Sequence, residues 1–233
     1  MVILSSNSSS SLFEKQNDGL LSITASSESI NEITTLKPVE LYREWDLESS
    51  GLSLAAFEMA HKGFSLLEAG NRLHNANLLT IIDYSMPSSQ KRLFVLEMVT
   101  GKIIFNSLVA HGRNSGYNYA TAFSNRSESH QSSLGFFITL NSYVGENGYS
   151  LKLQWCESGI NDKAYRRAIV LHGADYVSES FIQRNGYLGR SHGCPAVPVS
   201  LSKKIIDVIK GGSCMFLYYP SKKYIQRSKI LNS

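Results

Sequence analysis

From Leu78 onward the chain is a succession of short apolar runs, rich in β-branched and aromatic residues and separated by turn-forming residues. "LLTIIDYS", "KRLFVLEMV", "GKIIFNSLVA", "SLGFFITL", "GYSLKLQW", "RRAIVLHG" and "CMFLYY" have the length and composition of strands. Thr100-Gly101 reads as a hairpin turn between the second and third runs. A loop containing "GENG" joins "SLGFFITL" to "GYSLKLQW". Short strands at fairly regular spacing, with few helical stretches among them, restrict the fold to a mainly β sandwich or barrel of the α+β class. One of those helical stretches is "VSLSKKIIDVIKGG", with Ser200 as its expected cap and Gly211 as its stop.

The region before the strands is different. Residues 1–36 are rich in Ser, Asn, Thr and Glu with little apolar periodicity, and read as a disordered tail or linker. Residues 37–76 read as a helical region packed on the domain. "PVELYREWDLESSG" has Pro38 near a helix start and Gly51 past its end. In "LSLAAFEMAHKGFSLLEAGN", Leu54, Phe57, Ala60, Phe64 and Leu67 fall at helical spacing, with an interruption expected near Gly63. The strand-rich domain itself spans 77–220, and 221–233 reads as a basic C-terminal tail.

A chain of 233 residues suggests one domain, or one with an appendage. Its 42% hydrophobic and 18% charged residues are ordinary for a globular protein with a sizeable core. The net charge of +4 permits attraction to anionic polymers without requiring it, and no Lys/Arg run marks a nucleic-acid surface. No apolar segment has the length of a transmembrane helix. The N-terminus lacks the basic region and the longer apolar core of a secretory signal.

Three cysteines do not make a disulfide framework. Cys214, in "SCMFLYY", reads as a buried small hydrophobe, and Cys156, after "SLKLQW", as structural. Cys194 is different, because "LGRSHGCPAVP" is too rich in Gly and Pro for an ordinary helix or central strand. A thiol needs a base to become a good nucleophile, and a strand end is a rigid place to hold one. His172 ends "IVLHG" about twenty residues earlier. Gly193 permits a tight turn and leaves backbone N–H groups free to face an oxyanion. Of the remaining histidines, His61 and His74 read as solvated, while His111 and His130 flank or sit within the long polar stretch 112–134. A stretch of that length is either a mobile excursion or a functional loop.

"HG" at a strand end followed by Ser191-His192-Gly193-Cys194 resembles the signature of the murein L,D-transpeptidases, the YkuD-like catalytic domain. The resemblance runs through "LTIIDYSMPSSQKRLFVLEMVTGKIIFNSLVAHGRNSG", "FSNRSESHQSSLGFF", "SLKLQW", "GIND", "RAIVLHGADYV" and "LGRSHGCPAV", over roughly 50–220. It implies an L,D-transpeptidase-like fold with an N-terminal helical region and one helix after the catalytic cysteine. It implies Cys194 as nucleophile, His172 as base, the backbone at Gly193 and Cys194 as oxyanion hole, and Ser191 and His192 as supporting residues. The implied substrate is a peptidoglycan stem peptide, attacked at a meso-diaminopimelate–D-alanine bond to give a thioester. The acceptor is then a peptide or protein amine, or water. Carbapenems are implied inhibitors, and the cell envelope or periplasm the implied location. Known members carry an aliphatic residue and then Arg or Asn after the cysteine, whereas here Pro195 and Ala196 follow. Arg190 is the candidate for a substrate carboxylate, with a loop-fixing role as the alternative, and Gly173 is the candidate substrate-binding neighbour of His172.

Other classes fit the residues alone. They are an L,D-carboxypeptidase or other thiol hydrolase, and a wall-binding module without catalysis. A metal site built from His111, His172, His192 and Cys194 does not match a common zinc spacing, so no metal and no cofactor are expected.

Overall fold

The computed structural model describes residues 36–233, so the expectation for the N-terminal tail falls almost wholly outside the described residues. The apolar runs form the strands β1 Leu78–Asp83, β2 Leu93–Glu97, β3 Ile103–Ser107, β4 Gly135–Gly145, β5 Gly148–Trp155, β6 Val170–Gly173, β7 Ala196–Val197 and β8 Cys214–Tyr218. They join in one sheet of order β3-β2-β1-β8-β4-β5-β6-β7. The β1–β8 and β6–β7 pairs are parallel and the others antiparallel. The chain beyond β3 turns onto the opposite edge, where Ala110 N–H donates to Ala196 O of β7 at 2.8 Å. The sheet is therefore nearly closed, and the class is α+β, mainly β.

Local chemistry accounts for most of these elements. All residues of β1 and β8 are buried, as befits central strands with unbroken apolar runs. The β2–β3 hairpin turns at Gly101, whose φ of 71° suits glycine. The β4–β5 hairpin closes on the pair Gly145–Gly148.

Two helices lie N-terminal to the sheet, α1 Pro38–Glu44 and α2 Leu54–Ala69, with a short 3₁₀ turn at Leu47–Ser50 between them. The first stretch is broken because Asp46 takes a left-handed φ of 46°. Ser53 caps α2 by accepting from Ala56 N–H at 3.3 Å. Phe57, Ala60, Phe64 and Leu67 are buried against the sheet. Each large apolar side chain so buried contributes about 1.5–3 kcal/mol.

The expected interruption at Gly63 does not occur, and α2 runs straight through it. Gly63 is where the Phe136 ring of β4 rests, and a Cβ there would lie 2.0 Å from Phe136 Cζ. Phe136 is in turn stacked on Phe216 of β8 with centroids 4.2 Å apart. Glycine here serves close packing, not a break. Gly63→Ala is expected to cost about 1–3 kcal/mol by overpacking and to lower Tm by several degrees in a thermal melt.

Three helices follow β6: α3 Glu179–Asn185, α4 Val199–Ile209 and α5 Lys222–Arg227. The helix expected after Cys194 is α4, and α5 follows it beyond β8. Helix α4 is preceded by Pro198 rather than capped by Ser200, which lies in its first turn. Gly211, with φ 85°, follows its end. Beyond β8, α5 buries Tyr224, and Ile230 and Leu231 are buried behind it.

Buried Glu157 ties this C-terminal segment to the sheet. It accepts from Phe136 N–H at 2.9 Å, from Tyr224 O–H at 3.1 Å and from the Ser228 hydroxyl. Asn161 holds the same corner, donating to Leu134 O at 3.1 Å and Phe136 O at 3.0 Å. The turns it anchors lead directly into β6.

Candidate functional site

The site grows out of the joint between β6 and β7. His172 is registered beside Ala196, and its N–H points to Pro195 O at 3.4 Å. The Cys194 thiol points to Ala168 O at 3.6 Å, just before β6 begins. Thiol and imidazole are thus mounted along one short strand and the loop paired with it.

The His172 ring is buried, with 4% of the residue exposed. Its Nδ1 lies 2.9 Å from Gly173 O. A carbonyl can only accept, so Nδ1 carries the proton and Nε2 is left as an acceptor. Burial lowers the imidazole pKa below 6.5, so the neutral form prevails near pH 7. Burial also raises the thiol of half-buried Cys194, opposed by a Val170 N–H and the charge of Arg167. The resting pair is therefore a thiol and a neutral imidazole.

The loop carrying Cys194 is held from several sides. The Ser191 hydroxyl donates to Cys194 O at 2.6 Å and accepts from Gly193 N–H at 3.0 Å. Its own N–H donates to His111 O at 3.0 Å. Ser191 is thus the internal brace of the loop, and Gly193 N–H is committed to it. Among the described residues, Cys194 N–H has no such partner.

Gly193 has φ 125°, and a Cβ on it would lie 2.8 Å from Gln131 O and 3.0 Å from Arg167 Nη2. Gly112 backs onto the same place, its Cβ position 3.0 Å from Gly193 Cα. Gly193→Ala is expected to displace the loop and cut the alkylation rate of Cys194 at least tenfold, because neither φ nor space admits a side chain. Rates followed by peptide mass, with circular dichroism to check the fold, test this.

The polar stretch 112–134 forms the other wall. Ser132 Oγ accepts from Gly112 N–H at 3.0 Å and reaches Gly193 O at 3.4 Å. His130 packs against exposed His192, the rings tilted at 58° with centroids 4.6 Å apart. His111 lies deeper. Arg92 Nη2 donates to its Nδ1 at 2.7 Å, so Nε2–H faces Gly116 O at 3.3 Å. Both ring nitrogens are occupied, and burial beside Arg92 pushes the pKa down to about 3. Among the described residues no group of three His, Cys, Asp or Glu side chains is placed to hold a metal.

Two candidates have other work in this geometry. The Arg190 guanidinium lies over Tyr117 at 4.4 Å and Tyr187 at 5.5 Å, and its Nη1 donates to Gly116 O at 3.2 Å. It ties two loops together. Gly173 presses on α4, where a Cβ would lie 2.7 Å from Ser202 Oγ, and its carbonyl orients His172.

Sequence reasoning missed Arg167. It lies on the turn before β6, half-buried, with one edge against the Gly193 backbone. The available signal was its position a few residues upstream of His172 in "RRAIVLHG".

Fold and site together define a thiol–imidazole centre carried on the nearly closed sheet of a mainly β domain. The profile described as the L,D-transpeptidase catalytic domain matches residues 48–218, and the chain belongs to that family. Among solved structures it is similar to an L,D-transpeptidase from Mycobacterium smegmatis, at 13% identity over 61% of this chain and 59% of that one, TM-score 0.39. It is similar also to Mycobacterium tuberculosis L,D-transpeptidase 1, at 13% identity over 61% and 62%, TM-score 0.35. A third is the L,D-transpeptidase of Xylanimonas cellulosilytica, at 18% identity over 66% and 68%, TM-score 0.35. The match spans about three fifths of the length of the first two. No curated protein matches the chain.

Proposed function

We propose that this chain is an L,D-transpeptidase that acts on peptidoglycan stem peptides through a Cys194 thioester, with His172 as the general base. The observation that carries this is the mounting of the two groups. The thiol lies against the start of β6, and the neutral imidazole stands at the end of the same strand with its Nδ1 proton fixed on Gly173 O.

The chemistry follows from the protonation states. Cys194 Sγ attacks the carbonyl carbon of the donor bond while its proton passes to His172 Nε2. The carbonyl oxygen becomes an oxyanion, and Cys194 N–H is the uncommitted loop donor that faces it. The tetrahedral intermediate collapses, the C–N bond breaks, and D-alanine leaves with the proton that His172 returns. An acceptor amine then attacks the thioester, gives its proton to His172 and releases the thiolate, which His172 reprotonates. Water as acceptor yields hydrolysis by the same steps.

Ser191 and Gly193 set the loop, and His192 lines its outer side beside His130. A peptidoglycan substrate implies the cell envelope as the working location. No described helix is long and apolar enough to cross a membrane.

Incubation with purified muropeptides followed by mass spectrometry tests the reading. Loss of D-alanine is the expected result. Dimers, exchanged D-amino acids or tripeptides then identify the acceptor. Intact substrate after incubation with folded protein, under conditions where a known L,D-transpeptidase turns over, would overturn it.

A further inference from the structure

Arg167 is a half-buried cation surrounded by neutral oxygens. Its Nη1 donates to Ser124 O and to Ser133 Oγ, both at 2.7 Å. Its Nη2 donates to Gln131 O at 2.5 Å and to Ser129 Oγ at 3.3 Å. Among the described residues the ion pairs join Asp207 to Lys203 and Lys210, and none involves Arg167. Carbonyls and hydroxyls satisfy its N–H groups but do not neutralise its charge. A guanidinium taken partly out of water and left without a carboxylate is costly unless an anion meets it at some stage.

The Nη2 edge of that guanidinium faces the nucleophile's loop. Nη2 lies 3.0 Å from where a Gly193 Cβ would stand, and Cys194 is the next residue. The same four hydrogen bonds gather segment 124–133 over Gly193, so position and charge come from one side chain. We propose that Arg167 is the positioning residue of this site: it clamps segment 124–133 over the Cys194 loop and supplies the positive field that stabilises the developing thiolate. The inference rests on Cys194 being the nucleophile. Pro195 and Ala196, which follow the cysteine, carry no charge, so the cation of this site comes from a residue before β6.

The remaining groups around the thiol do not supply that charge. Tyr176, after β6, and Tyr84, after β1, are both held protonated by burial, with pKa raised to about 12. His172 on β6 is neutral near pH 7. His130 and His192 pack against each other at the loop's outer side. Arg167 is the charged group whose field lowers the Cys194 pKa, against the larger effect of burial.

The test is the pH dependence of iodoacetamide alkylation at Cys194, read by peptide mass on the full chain. Wild type, Arg167→Gln and Arg167→Lys are compared, each checked by circular dichroism. In Arg167→Gln the midpoint is expected to rise by about one pH unit, so the rate below the midpoint falls about tenfold. Arg167→Lys keeps the charge, and its midpoint is expected to stay with wild type. An unchanged midpoint in folded Arg167→Gln overturns the proposal. Where Arg167→Gln does not fold, Arg167→Lys decides, and a midpoint raised by a full unit there overturns it equally. Alkylation reads the thiolate without any wall substrate. A shifted midpoint beside intact muropeptides would therefore unseat the proposed reaction and leave the role of Arg167 standing.

Discussion

Incubated with a carbapenem, the protein is expected to gain the mass of one drug molecule on Cys194, and Cys194→Ala to gain none. The strained carbonyl of the drug stands in for the acyl donor, and the proposed thiol and base would attack it in the same way. The other two thiols are held back by their surroundings. Cys214 is fully buried in β8, and burial raises its pKa well above that of a free thiol. Burial pushes Cys156 up to about 12. Cys194 is also raised by burial, but it has Arg167 and a Val170 N–H to offset this. Intact-protein mass and peptide mapping make the measurement. An adduct on Cys156 or Cys214 with Cys194 free would overturn the assignment of the nucleophile.

His172→Ala is expected to lower the acylation rate by about a hundred- to ten-thousand-fold, the usual contribution of a positioned general base. His192→Ala is expected to cost far less, because that ring lies exposed against His130. The pH profile carries the same information with a definite sign. Burial holds the His172 pKa below 6.5, so its base form persists into mild acid. The wild-type rate is therefore expected to hold from neutral pH down past 6.5 and to fall only as pH drops through that lower pKa. In His172→Ala this acid limb should be absent. A dead His192→Ala beside an active His172→Ala, both folded by circular dichroism, would transfer the role of base to His192.

Both predictions concern residues legible in the sequence, and the reason is chemical. A cysteine among glycines and prolines, and a histidine closing an apolar run, are poorly explained by burial alone. Their residue types name the chemistry before any contact is known. The residues around them are legible only in part. Ser191 was expected to support the loop, but that its hydroxyl would engage Gly193 N–H and leave Cys194 N–H free depends on the turn geometry. Arg190 was a candidate for a substrate carboxylate, and only the approach of Tyr117 and Tyr187 from separate loops shows where its charge rests. Arg167 gave no local signal beyond its place upstream of His172 in "RRAIVLHG", since its partners lie some 34–43 residues away in the chain.

The fold divides in the same way. Apolar runs of strand length, the glycine turn at Gly101 and the helical spacing of Phe57, Ala60, Phe64 and Leu67 are local properties, and the sequence by itself determined them. Which strand lies beside which is not local. β8 is the last strand in the chain, yet it lies at the centre of the sheet, parallel to β1 and antiparallel to β4. Periodicity describes how a segment partitions between core and solvent, whereas pairing depends on long-range closure and on the side chains that meet there. Gly63 shows the difference in one residue. In sequence it is a helix weakener, and in the folded chain it is the hollow that receives Phe136. Residue chemistry singled out the candidate thiol and its proposed base. Tertiary packing alone decided the protonation states and, among the described residues, the N–H left free and the cation left unpaired around them, because each depends on groups that meet only when the sheet closes.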